Sequence, residues 1–176
     1  VLVAREYDSA FILHFTKRLE RLVSYFYLTS KTSNQRIERY GKIISVLQNE
    51  LQDDVVDVIE LLPEEKKEFL EVLNGDVYLM PARKRTYVVL RLDSFVSDRA
   101  AKYQNRIFSI EHVLPQKPKK DSQWMVDWAD EELRKYWLNK IANLIPLTRK
   151  KNSQAQNYNF ETKKLKYFSD KNGITT

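Results

Sequence analysis

Glu111 and His112 stand side by side, and two asparagines, Asn143 and Asn152, follow 31 and 40 residues after the histidine. An unperturbed histidine titrates near pH 6.5, so His112 can be neutral around pH 7 and accept a proton from water. Glu111 offers a charged, hard oxygen, and the asparagines offer amide oxygens. Magnesium prefers oxygen ligands and keeps several of its waters, so one carboxylate and one amide oxygen suffice beside a phosphate. These are the parts needed to cut a phosphodiester with a single divalent metal. Each residue also has an ordinary reading: a hydrogen-bonded structural histidine, a turn-capping Asn143, a loop Asn152, and a Glu111 paired with a lysine. The chain's other histidine, His14, lies among apolar residues and reads as structural or superficial.

Positioning these groups falls to two zones. Asp8 or Ser9 opens a helix over residues 8–28, with Phe11, Phe15, Leu19, Leu22 and Phe26 at helical spacing. A second helix is expected over 33–52, with Ile37, Tyr40, Ile44 and Leu47 on one face. An acidic piece spans 54–61, a third helix starts at Pro63 and stops at Asn74-Gly75, and a fourth covers 83–96 with Tyr87, Leu90, Leu92 and Phe95 as core. Residues 1–100 therefore read as a helical scaffold. Beyond them come a short strand over Arg106–Ile110, a basic loop over Pro115–Lys120, and a turn carrying Trp124 and Trp128. A helix led by Asp130-Glu131-Glu132 runs to Ile141, Leu144–Thr148 forms a second strand, and a basic helix extends from Asn159 or Phe160 to Phe168. The expected architecture is α+β and mainly helical, a scaffold at 1–100 followed by a strand–strand–helix unit at 101–176.

Charge singles out the same half. Residues 1–100 carry 15 basic and 16 acidic side chains, a net −1, whereas residues 101–176 carry 15 and 8, a net +7. A polyanion suits such a segment, because neutralising its phosphates releases condensed counterions. Lys117, Lys119, Lys120, Arg149, Lys150, Lys151, Lys163 and Lys164 are the candidate phosphate contacts. With no cysteine, disulfides and cysteine-held zinc are excluded. No stretch has the length and apolarity of a membrane span, and no leader pattern is present, so a soluble, cytoplasmic protein is expected. The start at Val1 reads as a fragment or a processed chain.

The segments Ile110-Glu-His-Val-Leu-Pro-Gln116, Asn143-Leu-Ile-Pro-Leu147 and the tail Asn152–Lys164 resemble the HNH nucleases of the ββα-metal (His-Me finger) class. The asparagine spacing is similar to that of the HNH domain in RNA-guided CRISPR nucleases. With Tyr87-Val-Val-Leu-Arg-Leu92 ahead of them, these segments look most like the nuclease part of GmrSD-type, modification-dependent restriction enzymes and related phage-defence proteins. The resemblance spans roughly residues 15–170 and is sharp over 110–164. It implies His112 as general base, Asn143 as the group that orients its imidazole, and Glu111 with Asn152 as ligands of Mg²⁺ or Mn²⁺. It further implies DNA cleavage leaving a 5′ phosphate, in restriction of modified foreign DNA such as phage DNA. Two departures matter: many HNH enzymes have histidine where Asn152 stands, and aspartate is frequent where Glu111 stands. Both favour a hard metal over a nitrogen-rich zinc or nickel site. In such enzymes an N-terminal nucleotide-hydrolysing domain or subunit works with the nuclease. This chain has three glycines and no glycine-rich phosphate loop, so it reads as the C-terminal part. Two rival readings are a catalytically silent nucleic-acid-binding module and an RNase or toxin nuclease on the same fold.

Overall fold

The computed structural model describes residues 7–49, 57–96, 108–148 and 157–167. The chain forms two compact units, Val1–Val72 and Leu73–Thr176. The expected zone boundary after residue 100 lies outside the described residues.

The first unit is built on α1 (Ser9–Leu28), α2 (Ser33–Gln48) and α3 (Pro63–Leu73). Asp8 caps α1 by accepting the Phe11 N–H at 2.6 Å. A capping box opens α2, in which Gln35 N donates to Thr32 Oγ1 while Thr32 N donates to Gln35 Oε1. Phe15, Leu22, Tyr25 and Phe26 of α1 meet Ile43 and Leu47 of α2, with Ile59 and Leu61 completing the core. Phe11 and Leu19 pack on its margin. The expected face of α2 is corrected in part: Tyr40 and Leu47 turn inward as expected, but Ile37 and Ile44 are 67% and 53% exposed and Ile43 takes the inward place. Ile43 and Ile44 are adjacent, and one residue rotates a helical face by about 100°. The Tyr40 ring, edge-on to Phe26 at 5.7 Å, helps choose between them.

The second unit begins with a 3-10 turn at Val77–Leu79 and α4 (Ala82–Val96), continues through β1 (Phe108–His112), α5 (Gln123–Asp127) and α6 (Glu131–Leu138), and passes a 3-10 turn at Ile141–Asn143 to β2 (Leu144–Thr148) and α7 (Phe160–Tyr167). β1 and β2 pair antiparallel from Phe108↔Thr148 to His112↔Leu144. The strand thus runs two residues further than expected and takes in Glu111 and His112, while Arg106 and Ile107 lie outside the described residues. Against β2 packs α4, burying Val88 and Val89 rather than Phe95, which is 70% exposed under the Arg91 guanidinium. Between the strands, Trp124 of α5 is buried and donates its indole N–H to the Tyr158 carbonyl at 2.7 Å, which brings the chain entering α7 back beside the hairpin. Asn159 caps α7 by accepting the Thr162 N–H at 2.9 Å. The result is mainly helical α+β, with one small sheet among the described residues supporting the candidate site. Among the described residues no helix is long and apolar enough to cross a membrane.

Candidate active site

Side chains alternate along a strand, so the neighbours Glu111 and His112 leave β1 on opposite faces. His112 is 6% exposed and its ring meets the Tyr78 ring edge-on, centroids 4.2 Å apart. Tyr78 is fixed in turn: its N–H donates to the Asn139 carbonyl at 3.1 Å, its carbonyl accepts from Arg85 at 3.0 Å, and the Arg85 guanidinium lies over its ring. Burial pushes the His112 pKa down from 6.5 to about 4, against the opposing influence of the Asn139 side chain and with help from the positive charges of Lys163 and Arg85. The imidazole is accordingly neutral at pH 7. Its Nε2 is buried without a hydrogen-bonding partner in the protein. Such a nitrogen calls for an explanation, because buried polar atoms are nearly always satisfied.

Asn143 stands where β2 begins, next to the residue paired with His112. It is 7% exposed. Its Oδ1 accepts the Leu114 N–H at 2.6 Å, its Nδ2 donates to the Leu114 and Leu138 carbonyls, and its own carbonyl accepts the Val113 N–H at 2.9 Å. The amide therefore grips the backbone that follows His112, with these bonds going to main chain rather than to the imidazole. Whatever orientation it imposes on the histidine acts through residues 113–114.

On the other face, Glu111 meets Lys163 of α7. The Lys163 ammonium donates to Glu111 Oε1 at 2.9 Å, to the His112 carbonyl at 2.8 Å and to the Val113 carbonyl at 2.9 Å. Three N–H groups thus find three acceptors, and Lys163 is 1% exposed. Expected as a phosphate contact, this lysine is turned inward and committed to the strand end. Lys117, Lys119 and Lys120 are exposed on the loop after β1, and Lys164 is exposed but paired with Glu161 at 2.7 Å. Asn152, Arg149, Lys150 and Lys151 lie outside the described residues.

Among the described residues no group of three or more His, Cys, Asp or Glu could enclose a metal ion. Glu111 supplies a carboxylate here, and its Oε2 takes no part in the Lys163 bond. That donor set suits a hard ion that keeps water and borrows a substrate oxygen, and it does not suit zinc. Tyr78, Arg85 and Asn139 were not singled out from the sequence. A tyrosine in a 3-10 turn more than thirty residues before the motif carries no local mark of its contact with His112. A cleft of about 370 Å³ beside them is lined by Tyr78, Arg85, Thr86, Ser109, Ile110 and Pro146, among others.

A family model described as the C-terminal domain of GmrSD restriction endonucleases matches residues 64–176. No curated protein matches the chain, and no solved structure does.

Proposed function

The chain belongs to the family of GmrSD restriction endonuclease C-terminal domains, and on that premise we propose that it is a metal-dependent HNH endonuclease that cuts DNA, with His112 as the general base. Membership makes it a nuclease module of the restriction-endonuclease kind. The observation that carries the finer reading is the His112 imidazole: buried, neutral at pH 7, and holding one nitrogen without a partner. A nitrogen in that state can take a proton from an attacking water, whereas an imidazolium cannot.

The remaining roles follow from the contacts. Asn143 holds the chain just beyond His112, and Tyr78 holds the ring. Glu111, on the far face of the strand end, presents its free oxygen to Mg²⁺ or Mn²⁺, with Asn152 as the second ligand. An ion held there would supply positive charge to offset the charge that builds on the phosphate and on the leaving oxygen. Because β1 ends at His112, a phosphodiester crossing that end meets the imidazole on one side and the carboxylate on the other. Lys117, Lys119 and Lys120, with Arg149, Lys150 and Lys151, hold the flanking phosphates. Lys164 can join them by exchanging its Glu161 partner. The working enzyme includes a nucleotide-hydrolysing domain or subunit, its site of action is the cytoplasm, and its target is modified foreign DNA such as that of phage.

Incubation of the purified protein with supercoiled plasmid, with and without Mg²⁺, is the direct test, with His112→Ala and a structured RNA as parallel arms. Nicking that requires metal and His112 and spares the RNA is the expected result. Cleavage of RNA alone moves the protein to the RNase reading, and binding without cleavage to that of a silent module. Full activity in chelator excludes the metal mechanism.

A further inference from the structure

We infer that Lys163 is a resident cation that makes metal binding at Glu111 depend on bound nucleic acid. The inference rests on the proposed role of Glu111 as a metal ligand and adds a condition to it. The carboxylate is already neutralised by an ammonium 2.9 Å from Oε1. That ammonium is not a surface group free to swing away, because its other two bonds hold the His112 and Val113 carbonyls and it is almost wholly buried. Among the described residues no cluster of three or more His, Cys, Asp or Glu that could hold a metal includes Glu111. Asn152, the other expected ligand, is neutral.

Among the described residues, a divalent ion approaching Oε2 in the free protein therefore meets a carboxylate whose charge is already balanced by a fixed positive charge behind it. Like charges a few ångströms apart in a partly buried setting repel strongly compared with the thermal energy. The missing negative charge has to arrive with the substrate, and a phosphodiester brings it together with an oxygen ligand. Metal and DNA then bind as a coupled pair. Linkage requires that each strengthens the other by the same factor. Lys163 thereby acts through Glu111 as a positioning residue: it fixes which carboxylate oxygen is free and withholds the ion until a phosphate is in place.

The test reads Mn²⁺ affinity by paramagnetic resonance titration of the full chain, alone and with a phosphorothioate duplex that resists cleavage. Wild type should bind Mn²⁺ at least about tenfold more tightly with the duplex, and the duplex should bind tighter by the same factor in Mn²⁺. Lys163→Met should bind the ion about tenfold more tightly without DNA, shrinking the coupling, and Glu111→Gln should abolish the DNA-linked gain. The wild-type arm needs no variant, so a fold weakened by Lys163→Met leaves the question decidable. Equal Mn²⁺ affinity with and without DNA, lost in Glu111→Gln, overturns the inference while sparing the metal site. Mn²⁺ binding that ignores Glu111→Gln overturns the metal site and the inference together.

Discussion

Each unit contains a lysine–glutamate pair linked to an aromatic ring, and the two pairs differ in what they leave over. In the helical unit, Glu68 accepts from the Tyr25 hydroxyl at 2.6 Å and from Lys31 through both carboxylate oxygens at 2.8 and 2.9 Å. The Lys31 ammonium also lies over the Tyr25 ring. Both Glu68 oxygens are thereby taken up by protein partners. At the strand end of the second unit, Lys163 satisfies one oxygen of Glu111, the other takes no hydrogen bond from Lys163, and His112 Nε2 has no partner. A closed network stabilises, while an open one keeps donors and acceptors in reserve for something that is not protein. A lysine–carboxylate pair marks both places, and the unfinished bonds set the strand end apart.

The largest expected break in that comparison is His112→Ala. Losing a general base should lower the cleavage rate by about 10²–10⁴-fold. The comparable removal in the closed network, Glu68→Gln, should leave the rate unchanged per folded molecule. Rates normalised to the folded fraction from a melting curve make the check, and equal rates for wild type and His112→Ala would end the catalytic assignment.

Asn143→Ala comes next. It strands the Leu114 N–H and C=O and the Leu138 C=O in a buried setting. Buried groups left unpaired cost roughly 1–3 kcal/mol each, and partial relaxation suggests a total of about 2–4 kcal/mol. Denaturant midpoints measure this. A loss below about 0.5 kcal/mol would show that the amide does not hold the strand end, since even one ordinary hydrogen bond is worth about that much.

Acid sharpens the contrast by sign. The His112 pKa in the fold lies near 4, below its ordinary 6.5, so the unfolded chain takes up the proton first as pH falls. The stability it contributes is full above pH 6.5 and is lost progressively down to about pH 4. The Lys31 and Tyr25 hydrogen bonds hold Glu68 below its ordinary 4.5, so its contribution persists until pH falls through that value. Between pH 6.5 and 4.5, amide protection factors, corrected for the intrinsic pH dependence of exchange, should fall in β1 and β2 while those in α1 and α2 hold. Uniform loss in both units would contradict the assignment of the acid response to His112.

Charge on the loop after β1 gives a smaller effect. Replacing Lys117, Lys119 and Lys120 by alanine should weaken binding to all DNA sequences alike. It should also flatten the slope of log K against log salt by up to about 2.7, at −0.9 per phosphate. Metal dependence should stay as in wild type. Loss confined to one sequence would mean that these side chains read bases.

What could be read from the sequence follows the range of the forces involved. Helix starts at Asp8, Thr32 and Asn159 depend on residues three positions away, and they can be recognised locally. Glu111, His112 and Asn143 could be singled out as candidates because residue types in that order are what the proposed chemistry requires. Which face of α2 or α4 turns inward depends on partners far along the chain, so Ile44 and Phe95 looked as suitable as Ile43 and Val89. Lys163 shows the same limit at the site. Composition makes it one more basic residue on a basic helix, and only the approach of α7 to β1 turns it into the partner of Glu111. The ordinary reading of Glu111 as a lysine's partner and the chemical reading as a ligand are therefore both compatible with one carboxylate, each using a different oxygen.

The smallest effect belongs to Tyr25→Phe in the closed network. The ring stays, so the core around Leu22 and Phe26 keeps its volume, and the hydroxyl's bond to Glu68 Oε2 is removed. Glu68 retains Lys31 on both oxygens, so no charge is left unpaired. A hydrogen bond of this kind contributes about 0.5–1.5 kcal/mol, and the partly exposed carboxylate recovers some of that from water. The denaturation midpoint should shift slightly, the dependence of Mn²⁺ binding on DNA should not move, and cleavage per folded molecule should match wild type. If Tyr25→Phe instead altered the metal titration, the closed network would be coupled to the strand end. The division between a stabilising pair and a working pair would then have to be withdrawn.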